Sequence, residues 1–193
     1  LAVRRKLRSR RYDLIHAQFG HSGLMALPKR IPYVVTLRGS DILGTVSDST
    51  GKYTAAGKVG QRISRMVAAK ADAVILVSEH MQANLPGLGS CDIIPSRIDF
   101  DLFRIMPRGE ARRKLGLPLD ERLVLFVGNP EQARKGYPLA RAAVDALNRR
   151  LPVRVVVGWG VPHADIPVYM AACDALIFTS MQEGSPNVVK EAL

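Results

Sequence analysis

The chain has 193 residues, 47% of them hydrophobic and 23% charged, the balance of an ordinary folded core, and this excludes a disordered polar chain. No apolar run approaches the roughly 18 residues a membrane-spanning helix needs, and the basic N-terminus leads into no apolar stretch. Neither a transmembrane segment nor a signal peptide is therefore expected, and the net charge of +11 instead points to anionic partners.

That charge is clustered: Arg4, Arg5, Lys6, Arg8, Arg10 and Arg11 in the first helix, then Arg108, Arg112, Arg113 and Lys114, then Arg149, Arg150 and Arg154. A solvated basic face comes first as its meaning and an anionic membrane surface second. Nucleic acid ranks last, because aromatics make up only 6% and none is interleaved with the first cluster as a stacking platform. The expected location is cytoplasmic, with a peripheral position at the inner face of the membrane as the variant the charge allows. Cys91 and Cys173 lack metal-type spacing and read as small core residues in a reducing compartment.

In chain order, residues 1–10 read as the end of a helix and 14–17 as a short buried strand. A glycine-bearing loop over 19–23 opens a short apolar helix. A second strand over 33–37 leads into the polar loop Arg38-Gly39-Ser40-Asp41, and 43–53 lacks periodicity and reads as a mobile loop. Residues 55–70 have helical spacing with Val59, Ile63, Met66 and Val67 inward, and 73–77 is a continuous apolar run of the kind covered on both faces. A short helix starting at Ser78 and a strand over 91–94 complete this half.

After a connection and a helix over 110–115, the pattern restarts. Strands are expected at 123–127, 153–157 and 175–179. Helices are expected at 137–150, with Leu139, Ala143, Ala146 and Leu147 on one face, and at 166–172. Strand, loop and helix in this repeat imply parallel sheets with right-handed crossovers. The fold class expected is α/β, with two Rossmann-like parallel-sheet domains. Residues 1–95 form the first, 96–117 the connection and 118–193 the second, and both look cut within larger domains. The closing stretch places a turn and then a helix after the last strand, with Ser185 as N-cap and Pro186 at the first helical position, a geometry that suits an anion.

Several segments together resemble the retaining, nucleotide-sugar-dependent glycosyltransferases of family 4, which have the GT-B fold. The strongest runs from Glu183 to Ala192, with two glutamates eight residues apart around a glycine and a proline. Arg134-Lys135-Gly136 resembles the family's phosphate-binding lysine-glycine. The segments at 71–78 and 94–99 resemble two further landmarks, and those at 12–16 and 36–41 are similar to acceptor-domain motifs. Asn129 stands where many members carry an arginine, Arg38 where many carry a histidine, and Ser96 and Arg97 replace an asparagine and a glycine.

A departing diphosphate needs fixed positive groups, which Lys135 with Arg134 could supply, helped by backbone N–H groups around Gly184, Ser185 and Asn187. Glu191 could accept both ribose hydroxyls. The resemblance implies that role for Glu191, and for Glu183 contact with the transferred sugar. His21, in a loop between glycines, and Arg38 are further catalytic candidates. His16 reads as a satisfied core histidine, His80 and His163 as structural or exposed, and the Gly158-Trp159-Gly160 loop equally as a tight turn. The resemblance implies a UDP- or GDP-linked sugar as donor, a carbohydrate or lipid-linked acceptor, a cleft between the domains, retention of configuration, and no separate cofactor or metal. Two alternatives stay open: a related sugar-nucleotide epimerase or phosphorylase, and a non-enzymatic polyanion-binding module. The 193-residue piece alone is expected to turn over weakly or not at all.

Overall fold

The computed structural model describes residues 2–193, so Leu1, placed above in the first helix, lies outside the described residues. Two compact units emerge. The first takes the chain up to Ser47, Lys52–Ser96 and Gln182–Ser185; the second takes Asp48–Gly51, Arg97–Met181 and Pro186–Leu193.

In the first unit, α1 (Ala2–Ser9) precedes β1 (Ile15–Ala17), β2 (Tyr33–Leu37), α2 (Ser40–Leu43), α3 (Ala55–Ala68), β3 (Ala73–Leu76) and β4 (Asp92–Ile93). The strands lie in the order β1-β2-β3-β4, and every neighbouring pair is parallel. Tyr33, Val35, Leu37, Val67, Leu76 and Met81 are fully or almost fully buried between sheet and helices, and the Tyr33 hydroxyl donates to the Val67 carbonyl at 2.5 Å. Polar loops at the carboxyl ends are the natural ligand-facing edge of such a sheet.

The second unit contains α4 (Arg108–Leu115), β5 (Arg122–Val127), α5 (Tyr137–Asn148), β6 (Val153–Gly158), α6 (Ile166–Ala172), β7 (Ala175–Leu176) and α7 (Asn187–Ala192). Its parallel sheet has the order β6-β5-β7.

Both sheets use the same brace. Asp72, just before β3, donates its N–H to the Tyr33 carbonyl and accepts the Tyr33 N–H on its carboxylate, both at 2.9 Å. Asp174, just before β7, does the same with Leu123, at 2.8 Å in each direction. Each aspartate therefore ties a strand entrance to its neighbour's and sets the register. In the second unit the brace extends into α4. Arg112, 1% exposed, donates to the Ala172, Pro118 and Leu119 carbonyls and to Asp174 at 2.9 Å, so its buried charge is fully partnered.

Several expectations are corrected. On α3, Val59 and Met66 are 54% and 42% exposed, and the buried face is Gly57, Gly60, Ser64, Val67 and Ala68. Residue size governs that contact: a Cβ on Gly20 would lie 2.1 Å from the Ser64 hydroxyl oxygen, and one on Gly23 2.2 Å from Val67 Cγ1. On α5 the buried residues are Ala140 and Val144, one step round from the expected face. The stretch over 43–53 is not structureless, because Val46 is buried and bridges Tyr53 in antiparallel fashion. The short helices after Phe19 and Ser78 are 3-10 turns, at Gly20–Ala26 and Glu79–Asn84. The terminal strands are shorter than their apolar runs, β7 ending at Leu176 and β4 at Ile93.

Arg112→Ala would leave three carbonyls without their donor and take one of its two arginines from Asp174, and is expected to lower stability by about 3 kcal/mol. Arg108→Ala, at an exposed position beside the same carboxylate, should lose no more than about 1 kcal/mol. Urea unfolding of the two variants checks the contrast.

Candidate active site

At the carboxyl edge of the first unit's sheet, the loops after β1 and β2 are joined by Asp41. This carboxylate is fully buried and accepts the N–H groups of Gly20 at 3.0 Å, Gly39 at 2.9 Å and Arg38 at 3.1 Å. Gly39 has φ +140°, a conformation open to glycine, and this lets the chain turn back over the carboxylate. The loop's side chains face outward. Arg38 Nε donates to the Gln18 carbonyl at 3.1 Å, and its Nη2 donates to the Gln18 side-chain oxygen. The Gln18 amide nitrogen lies 3.0–3.1 Å from the His16 ring nitrogens, and His16 Nε2 lies 2.8 Å from the Thr36 hydroxyl. His16 is thus no core histidine: it is exposed, because its position on β1 alternates with buried Ala17. His21 packs edge-on to Phe19 at 5.3 Å and against α3, where a Cβ on Gly60 would meet its Nε2 at 2.5 Å.

In the second unit, Arg134 and Lys135 lie in a 3-10 turn, Ala133–Lys135, after β5. Gly136 follows with φ +68°, and a Cβ there would lie 2.4 Å from the Thr179 carbonyl oxygen. The Thr179 hydroxyl donates to the Lys135 and Gly136 carbonyls at 3.0 Å each, which fixes the turn to the chain beyond β7. Lys135 lays its stem beside Gly128, within 3.5–3.6 Å of where a Cβ would stand. Arg134 pairs with Asp48, so the guanidinium expected to assist the phosphate already has a carboxylate partner. Asn129 uses its side-chain oxygen to accept the Glu131 N–H at 2.9 Å, a local turn contact.

The helix start differs from expectation. α7 begins at Asn187, and its N-cap is Pro186, with φ −69° and ψ 111° and no side-chain cap. Ser185 therefore stands one residue before the cap, because the extended Pro186 takes the boundary position. Glu183, Gly184 and Ser185 group with the first unit, and Asn187 and Glu191 with the second. Glu191 lines a groove with Phe103, Pro167, Met170 and Lys190. Its side chain is 11% exposed and lies 4.0 Å from His163 Nε2. Burial pushes its carboxyl above the ordinary value, against the opposing pull of His163 and Lys190. The Cys173 thiol is pushed up to about 12 by burial, against the pull of Arg112.

Residues 1–98 match the glycosyl transferase 4-like domain family. The chain belongs to that family. A putative teichuronic acid biosynthesis glycosyltransferase of Bacillus subtilis is 31% identical over 206 residues, with 94% of this chain and 50% of the relative covered. A D-inositol 3-phosphate glycosyltransferase of Mycobacterium bovis is 29% identical over 161 residues, 77% of this chain and 32% of the relative. Among solved structures, sucrose-phosphate synthase of Thermosynechococcus elongatus aligns with TM-score 0.69 and 21% identity, over 94% of this chain and 53% of that one. Anabaena HepE in complex with UDP and glucose aligns with TM-score 0.66 and 21% identity, over 99% and 59%. These neighbours share the GT-B fold, and the chain spans about half the length of the curated relative and of the two solved chains it matches over nearly all its residues.

Within this glycosyl transferase 4-like chain, sequence reasoning passed over Asp41 and Gln18, and it read His163 as structural or exposed without its place beside Glu191. Asp41 lay inside a quoted motif, but only the fold shows three N–H groups converging on it. Gln18 carried no signal of its own, and His163 meets Glu191 across 28 positions of sequence.

Because the folded-state pKa of Glu191 is raised, its protonated form favours the fold. That contribution is full below the ordinary value of 4.5 and is lost as pH rises through the raised value. Glu191→Gln, which copies the protonated group, should gain stability over the parent as pH rises across this window. Thermal unfolding of both proteins at stepped pH checks the sign.

Proposed function

We propose that the full-length protein is a retaining glycosyltransferase that moves a sugar from a nucleotide-diphosphate donor to a carbohydrate acceptor. The observation that carries this most is the Lys135-Gly136 turn, held at the carboxyl end of a parallel strand by Thr179, in a chain of this family. The UDP in the HepE complex supports a nucleotide donor, UDP- or GDP-linked. The glycosyltransferase names of the relatives favour transfer over epimerisation, phosphorolysis or plain polyanion binding.

In this reading the second unit holds the donor. Lys135 faces the diphosphate as a point cation, where charge grows as the bond between the anomeric carbon and the phosphate oxygen breaks. Arg134 adds positive charge beside it, in part offset by its pairing with Asp48. Glu191 accepts the ribose hydroxyls, and the backbone N–H of Asn187 adds a donor. Glu183 orients the transferred sugar. The acceptor hydroxyl bonds to the same face of the anomeric carbon and passes its proton to the departing phosphate oxygen, so no enzyme nucleophile and no metal is required. His21 and Arg38 stand on the acceptor side. The lipid-linked acceptor, the anionic membrane surface and the cytoplasmic location remain expectations from charge and resemblance.

A thermal-shift screen of UDP-, GDP- and ADP-sugars on the full-length protein should single out one nucleotide that raises the melting temperature. Lys135→Ala should abolish that shift and lower kcat/KM by about a hundredfold or more. Glu191→Ala should mainly raise the donor KM. Unchanged donor kinetics in Lys135→Ala would remove that lysine from the site.

A further inference from the structure

Most arginines with a side-chain acceptor meet a carboxylate; Arg4 and Arg65, on helices, meet only backbone carbonyls, and Arg38, at the carboxyl end of β2, meets no carboxylate either. Arg108, Arg112, Arg134, Arg141 and Arg154 each meet a carboxylate. The Arg38 guanidinium instead meets only neutral oxygens, the carbonyl and the side-chain amide of Gln18, and among the described residues no carboxylate lies within ion-pair distance of it. The carboxylate that does approach Arg38, Asp41, is fully buried and taken up by the backbone N–H groups of Gly20, Arg38 and Gly39. The cation is thus oriented without being neutralised. Its orientation is supported from behind, since Gln18 is fixed by His16, and His16 by the buried Thr36 hydroxyl. A guanidinium held this way keeps Nη1 and one Nη2 proton for an incoming group, and their fork matches a carboxylate or a phosphate. The chemistry such a fork offers is recognition.

We infer that Arg38 selects an acceptor carrying an acidic group: the array Thr36-His16-Gln18-Arg38 is an oxyanion subsite at the carboxyl edge of the first unit's sheet. The placement on the acceptor side rests on the glycosyltransferase reading, while anion binding by Arg38 does not. Arg38 is a specificity-determining residue here, Gln18 positions it, and Asp41 holds the loop that carries it. The acidic group belongs to the acceptor glycan and is either a carboxylate, as on a uronic acid, or a phosphate ester.

The test uses the full-length protein with nitrogen-15-labelled arginine side chains, titrated with methyl glucuronide, glucose 6-phosphate and methyl glucoside. The Arg38 Nε–H resonance, assigned by its loss in Arg38→Gln, is expected to shift with at least one of the two anions and not with the neutral glucoside. Whichever anion binds tells carboxylate from phosphate. Arg38→Gln should weaken that binding by about ten- to a hundredfold. Arg38→Lys should recover part of it, since it keeps the charge and loses the fork. Gln18→Leu, which leaves the charge and removes its tether, should weaken it less than Arg38→Gln does. Nucleotide-sugar binding, read by thermal shift, should be the same in all of these variants, and that shift also reports that they fold. An Arg38 signal that moves equally with the glucoside, or with none of the three, overturns the inference, as does undiminished anion binding in Arg38→Gln. Loss of nucleotide-sugar binding by the parent protein would instead overturn the proposed function and leave the anion result standing.

Discussion

Each sheet in this chain depends on an aspartate at a strand entrance. A parallel strand has no hairpin to set its register, so something else must fix where it starts against its neighbour. Asp72 and Asp174 do this in the same way, exchanging a backbone and a carboxylate hydrogen bond with Tyr33 and Leu123. Lys29 and Tyr33 hold the Asp72 carboxyl below its usual range. Asp174 also ends below it: desolvation alone would raise it, but the Leu123 N–H, Arg112 and Arg108 outweigh that. With the entrances fixed, the opposite ends of the strands deliver their loops at defined heights, and those loops carry the candidate chemistry.

The two loop edges are built differently. In the first unit one buried carboxylate, Asp41, gathers the backbone of two loops and leaves the side chains above it oriented. In the second, a left-handed glycine and a threonine hydroxyl fold the Lys135 turn onto the chain beyond β7. The first arrangement presents a guanidinium suited to recognition, and the second presents an ammonium suited to charge that develops during reaction. Such a division is what the proposed transfer would use, with one sugar held by its leaving diphosphate and a second selected by its substituents.

Much of this was legible in the sequence, where the signal was apolar continuity. The runs at 33–37, 73–77 and 123–127 became buried strands because parallel sheets are covered on both faces and need no alternation. Helix faces were less legible. α3 packs through Gly57, Gly60 and Ser64, and periodicity counts apolar residues, whereas close helix contacts select small ones. The candidate site was legible where a motif is local, as at Lys135-Gly136. It was hidden where contacts cross the chain, as with Asp41 and Gly20 or Glu191 and His163. Arg134 shows the same limit, since no local pattern announces its pairing with Asp48. At Pro186 a local rule failed for a local reason: proline suits the first helical position, yet here it is extended and stands one residue earlier.

Transfer of a sugar with retention can be tested in one experiment. The full-length protein is incubated with a nucleotide sugar labelled with carbon-13 at the anomeric carbon and with a carbohydrate acceptor, and the anomeric signal is followed by NMR. Retaining transfer should yield a glycoside of the same anomeric configuration as the donor, formed in step with nucleoside diphosphate. A product of inverted configuration, or label that returns only as an epimerised nucleotide sugar, would contradict it.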